Sequence, residues 1–230
     1  MIKRLLKPAL YIAGKDIYSE WKTKQTVTTM LIFSALVIVT FSFAFDPSNE
    51  SVNTLIPGMI WIITIFASIL GLNRSFVTEQ VDDRIYGYIV APIDPASVFL
   101  GKFMANLFFV LIVQVVSIPL LFLLFDMRIA TSKSIPLLIG VLLLGTFGFI
   151  CAGTLLAALA ANSKSSEMLL PILLFPLSTP VLIASVQATK IVLLDYENIN
   201  NAIAWMRLTS VYDIIIFVGG LILFEYILEV

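Results

Sequence analysis

The sequence predicts an all-α integral membrane protein with six transmembrane helices. An amphipathic helix precedes them in the membrane interface, and a short cytoplasmic helix lies between the second and third spans. Three observations predict this. Of the 230 residues 60% are hydrophobic and only 13% charged, with a mean hydropathy of +1.03. A water-soluble domain is roughly half apolar and a quarter charged, so most of this chain faces a different solvent, and a bilayer is that solvent. Second, apolar runs recur at lengths that cross hydrocarbon at about 1.5 Å per residue. Third, most charges fall between those runs.

In order, residues 1–25 form the interfacial helix and 26–230 the membrane domain, with spans at about 26–45, 55–73, 101–125, 135–160, 168–187 and 208–228. The N-terminal segment repeats Leu6, Leu10, Ile17 and Trp21 near helical spacing among lysines and acids. Such a helix lies at the interface with its aromatic residues at headgroup depth; the simpler reading is a basic flank that only sets orientation. Lys3, Arg4 and Lys7 imitate a signal n-region, but no apolar core follows them, and the segment is expected to stay in the mature chain.

Orientation follows from Lys and Arg. Ten of them (Lys3, Arg4, Lys7, Lys15, Lys22, Lys24, Arg74, Arg84, Lys102, Lys164) fall on one side if the spans alternate, against four (Arg128, Lys133, Lys190, Arg207) on the other. Positive residues stay inside, which places both termini in the cytoplasm.

Spans four and five differ in texture. Span four carries Gly153, Ala157 and Ala161 at fourfold spacing, a stripe that admits a close helix. Span five holds Pro171, Pro176 and Pro180, each lacking a backbone donor. It is expected to kink under the cover of its neighbours. The three prolines line a cavity if the span is a moving element, and otherwise mark a static kink. Asp213, at the expected start of span six, has the same two readings: a cavity-lining carboxyl, or an interfacial residue. The stretch from about Gln187 to Arg207 reads as the longest external loop.

Several chemistries are excluded. There is no histidine, and Cys151 is the sole cysteine, so the usual general base, zinc sites and disulfides are unavailable. The P-loop pattern is absent. No catalytic residue, metal site or nucleic-acid partner is expected, and Cys151 reads as packing.

The stretch 73–102 is too polar to span and too patterned for an idle loop. Phe76 to Tyr86 forms an amphipathic helix with Glu79, Asp82, Asp83 and Arg84 outward, then Pro92 and Pro95 end helical structure. Such a helix suits a groove on a soluble partner, although a solvated loop fits the charges alone.

The segment Asp82-Asp83-Arg84 through Gly87-Tyr88, Ala91-Pro92-Ile93-Asp94 and Phe99-Leu100-Gly101-Lys102 resembles the coupling segment of ABC-2-like exporter permeases. More narrowly, the chain resembles the cytochrome c maturation permease family called heme exporter protein B. The matching stretches are Lys15 to Lys24, Ser68 to Phe76 with Asn73 and Arg74, Gly101-Lys102, Gly153 to Ala160, Glu167 to Pro176, and Phe224 to Glu229. The resemblance implies a permease subunit beside a second copy of itself, on a dimer of a separate ABC ATPase that binds the ATP. It also implies a haem-handling membrane protein and a periplasmic haem chaperone, in a bacterial inner membrane, with ATP driving either haem export or release of the haem-loaded chaperone. Segment 74–97 would then meet the ATPase through Glu79, Asp82, Asp83, Arg84 and Tyr88, with Glu20, Trp21 and Lys24 anchoring the interfacial helix. With no histidine in the chain, haem is expected to be held by a partner. The rivals are a general exporter permease for lipid, polysaccharide or drug, and an ion-coupled carrier or channel without an ATPase.

Overall fold

The computed structural model describes residues 2–46, 50–81, 94–127, 134–161 and 166–228, with side chains at 2–4, 50, 76–81, 161, 166–167 and 227–228 outside the description. The described residues form α1 (Ile2–Thr23), α2 (Gln25–Ala44), the single turn α3 (Glu50–Asn53), α4 (Ile56–Val81), α5 (Pro95–Leu124), α6 (Ser134–Ala161), α7 (Ser166–Leu194), a 3₁₀ turn (Tyr196–Asn198) and α8 (Ile199–Leu228). Six helices are long and apolar enough to cross a membrane: α2, α4, α5, α6, α7 and α8.

α4 is the innermost helix, packed against α2, α5, α6 and α7. Its sequence is apolar almost all round, the pattern of a helix enclosed by others. Its apolar stripe Ile62, Phe66 and Leu70 faces outward. α2 shows the opposite pattern, burying the single stripe Met30, Ser34 and Ile38 and exposing Ile32, Leu36 and Phe43. Both stripes repeat every fourth residue, but they point in opposite directions. α6, α7 and α8 pack on one another to form the other half of the bundle.

α1 lies on the N-terminal part of α5. It turns Ala9, Ile12 and Ala13 inward and leaves Leu6, Leu10, Tyr11, Tyr18 and Trp21 exposed, an apolar face suited to lipid. Gly101 permits the contact: a methyl group there would lie 2.7 Å from Ile12 Cβ and 2.8 Å from the Ala9 carbonyl oxygen. At this end of the bundle Phe99 of α5 meets Phe224 of α8, with ring centroids 5.4 Å apart. Both ends of the chain therefore lie at one end of the bundle, as an even number of spans requires.

Four boundaries differ from the sequence reading, each for a local reason. Pro95 starts α5 instead of ending a helix. It occupies the first turn, and the Asp94 side chain caps that turn by accepting from Ala96 N–H at 2.9 Å. Span two runs on to Val81, so Phe76 to Val81 continue α4, while 82–93 lie outside the described residues. The external stretch 187–207 is mostly helix. α7 continues to Leu194, and the only break is Asp195 with one 3₁₀ turn, which Asn198 Nδ2 closes onto the Asp195 carboxylate at 2.9 and 3.0 Å. Asp213 is not at a span's start: it is central in α8, the 30-residue helix Ile199–Leu228.

Candidate functional site

Polar residues collect at the end of the bundle that carries α1. Lys102 of α5 is almost fully buried, a position lysine takes only with partners. Its Nζ lies 2.9 Å from Asp16 Oδ2 of α1 and donates to the Ser75 carbonyl oxygen of α4 at 3.1 Å. One ammonium thus joins three helices. Asp16 also receives Lys15 at 3.4 Å. Next to this junction the Arg74 guanidinium donates to Gln25 Oε1 at the start of α2. The groups border an open cleft of about 360 Å³, walled by α1, α2, α4 and α5 and reaching down to Asn106 and Phe109.

The α1–α2 junction is a single residue, Lys24, with φ 54° and ψ 13°. Its N–H donates to the Glu20 carbonyl at 2.6 Å, closing α1, while its own carbonyl accepts from Thr28 N–H at 3.2 Å, opening α2. Glu20 then reaches across the corner, and its Oε1 accepts from Val27 N–H at 2.9 Å. A carboxylate at a helix N-terminus satisfies a free donor and faces the positive end of the dipole. Glu20 and Lys24 therefore set the corner between α1 and α2. Glu20 is buried against its own chain at this corner. Trp21 is exposed.

Below this end a ladder of buried amides and hydroxyls crosses the bundle. Asn106 Nδ2 lies 3.4 Å from Thr154 Oγ1. Gln114 Nε2 donates to Thr64 Oγ1 at 3.2 Å and Thr146 Oγ1 at 2.8 Å, linking α4, α5 and α6. Trp61 Nε1 donates to Thr189 Oγ1 at 2.9 Å, tying α4 to α7. In an apolar bundle such bonds hold helices in register, each contributing about 0.6–2 kcal/mol. Trp61 is a core residue.

The other predicted residues separate. Asn73 and Arg74 sit at the cleft end of α4, and Gly101 and Lys102 face α1 from α5. Glu79 lies in the last turns of α4, but its side chain, like that of Phe76, is outside the described residues. Asp82, Asp83, Arg84 and Tyr88 lie wholly outside them. Pro171 is half-buried, while Pro176 and Pro180 stand exposed on the outer face of an unbroken α7. That corrects the expectation that the neighbours cover them. The outward rings clash with no packed helix, and the hydroxyls of Ser178 and Thr179 donate back to the carbonyls of Leu174 and Phe175 at 2.6 and 2.7 Å. Asp213 is buried away from these two prolines, against Gly148 of α6. Cys151 is buried, in keeping with packing.

Sequence reasoning missed Asp16 and the ladder. Asn106 and Gln114, two amides in the apolar run of span three, were usable signals; Asp16 was one of several charges on an amphipathic helix and carried none.

A family model described as CcmB protein matches residues 8–217. The chain belongs to the CcmB family. Among relatives, this CcmB-family chain is 33% identical over 153 residues to heme exporter protein B of Pseudomonas aeruginosa, covering 66% of this chain and 67% of that one. It is 27% identical over 193 residues to heme exporter protein B of Bradyrhizobium diazoefficiens, covering 84% and 81%. The Escherichia coli K12 protein of that name is 29% identical over 167 residues, covering 70% and 72%. The resemblance drawn from the stretches around Arg74 and Lys102 is thereby borne out. In this CcmB chain the matched region takes in Asp16, Lys102 and Asp213.

Proposed function

We propose that this chain is the permease subunit of an ABC complex serving cytochrome c maturation in a bacterial inner membrane, with both termini in the cytoplasm. Membership in the CcmB family carries the reading, and the relatives' name, heme exporter protein B, supplies its cargo. A separate ATPase dimer binds and hydrolyses ATP and docks on the 74–97 segment, with Glu79, Asp82, Asp83, Arg84 and Tyr88 as its contacts. A second copy of the permease, a haem-handling membrane protein and a periplasmic haem chaperone complete the assembly. Haem is held by a partner.

The junction at Lys102 supports a way for movement to spread. The 74–97 segment leaves from the end of α4 and returns at the start of α5. Lys102 ties both ends together and to α1 through the Ser75 carbonyl and Asp16. A push on the segment therefore reaches α1, α4 and α5 together. The tie is a largely buried charge pair, and removing either partner is strongly destabilising.

The test is a gentle-detergent pull-down from native membranes, comparing wild type with a Glu79→Lys, Asp82→Lys, Asp83→Lys variant. Wild type is expected to bring down a P-loop ATPase and a haem-binding membrane protein, and the variant to lose the ATPase. Recovery of the ATPase without haem proteins points to a general exporter. Absence of any ATPase from the wild-type sample refutes the ABC assignment.

A further inference from the structure

We propose that Asp213 is an intramembrane proton-binding site, set in the seam where α6 meets α8 halfway across the bundle. The inference goes beyond the transport reading and does not depend on it.

Asp213 lies fourteen residues from the first residue of α8, Ile199, so about 21 Å along a helix axis that rises 1.5 Å per residue. It is 4% exposed, and neither carboxyl oxygen has a hydrogen-bond partner. A carboxyl at this depth faces protein or water, because hydrocarbon does not solvate it. Here it faces the backbone of α6: a methyl group on Gly148 would sit 2.1 Å from its Oδ1. The residue opposite Asp213 is a glycine because no side chain fits between the two helices.

Among the described residues the surroundings hold no counter-charge. α6 contains no Asp, Glu, Lys or Arg between Ser134 and Ala161, and it faces the seam with glycines and the thiol of Cys151. On α7 the ionisable residues are Glu167, near its first turn, and Lys190, which is exposed. On α5 the one charged residue is Lys102, committed to Asp16 and Ser75 at the α1 end. On α8 itself Arg207 is exposed six residues before Asp213, and Glu225 lies twelve after it. Tyr212, the adjacent residue, turns its hydroxyl to the Leu177 carbonyl at 3.1 Å. An ionised carboxylate in such a place has neither cation nor donor, whereas a carboxylic acid needs neither.

A second buried oxygen lies on the same glycine face. Ser185 Oγ of α7 also has no partner, and a methyl group on Gly145, one turn from Gly148, would sit 2.3 Å from it. Two orphaned polar groups therefore lie along one glycine stripe. Parting α6 from α7 and α8 would open a route for water to reach Asp213 and for the proton to leave it.

The experiment is infrared difference spectroscopy of the full-length protein in lipid nanodiscs at pH 7, wild type minus Asp213→Asn. The expected difference is the C=O stretch of a protonated carboxyl, absent in the variant. Carboxylate stretches in its place would overturn the proposal. Carbodiimide mapping in native membranes needs no variant. The acid O–H adds across the reagent's C=N bond, oxygen to carbon and proton to nitrogen, and the acylisourea rearranges to a stable acylurea. At pH 7 the adduct at Asp213 is expected to exceed that at exposed Asp195 and Glu197 at least tenfold. Equal labelling, or none at Asp213, would overturn the assignment.

Discussion

Replacing Asp16 with Asn keeps the size of the side chain but takes the carboxylate away from a lysine whose side chain is 2% exposed. At 2.9 Å the gross attraction within the pair is about 6 kcal/mol, taking an effective dielectric of about 20. Desolvation offsets much of that, so the pair adds little over an apolar replacement. Breaking it costs about 3–5 kcal/mol because the buried ammonium loses a charged partner. The Ser75 carbonyl remains within reach of Lys102, which places the loss at the lower end, about 3 kcal/mol. For a chain of this length each kcal/mol moves the melting temperature by about 2–4 °C, so Asp16→Asn is expected to lower it by roughly 6–12 °C. The assay is thermal unfolding in mild detergent followed by size-exclusion chromatography, with limited proteolysis at Lys22 and Lys24 reporting on α1. The double variant Asp16→Leu, Lys102→Met is expected to recover most of the loss, since it removes both charges. A single variant that melts within about 2 °C of wild type, or a double variant less stable than the single one, would refute the view of Lys102 as the tie.

Two further outcomes follow from the same end of the bundle. Lys24→Gly is expected to stabilise by about 1 kcal/mol, because a residue with a Cβ is strained in the left-handed region; chemical unfolding measures it, and a destabilised variant would show that the lysine side chain matters more than its backbone. Gly101→Leu is expected to lift α1 off α5, since the added carbons meet the Ala9 backbone carbonyl as well as Ile12. Protease sites in α1 should then be cut many-fold faster while the six-span core stays intact, and unchanged cleavage would place the contact elsewhere.

The sequence alone determined the solvent, the number of spans and most of their positions. Apolar area must leave water whatever its neighbours are, so composition and run length decide these. The family was also legible in short stretches such as Leu72-Asn73-Arg74 and Gly101-Lys102. Which face of each helix points inward was not legible. The spanning parts of α2 and α4 are both apolar, and hydrophobic periodicity separates core from lipid poorly when lipid is as apolar as the core. Only packing decided that α4 is enclosed, that Pro176 and Pro180 face outward, and that Lys102 finds Asp16 across 86 residues of chain. The depth of Asp213 was decided in the same way. Its neighbours in sequence suggested a span's edge, but α8 begins fourteen residues earlier and sets the carboxyl against Gly148 of another helix. Long-range pairs of this kind depend on where two helices cross, and no local pattern encodes that.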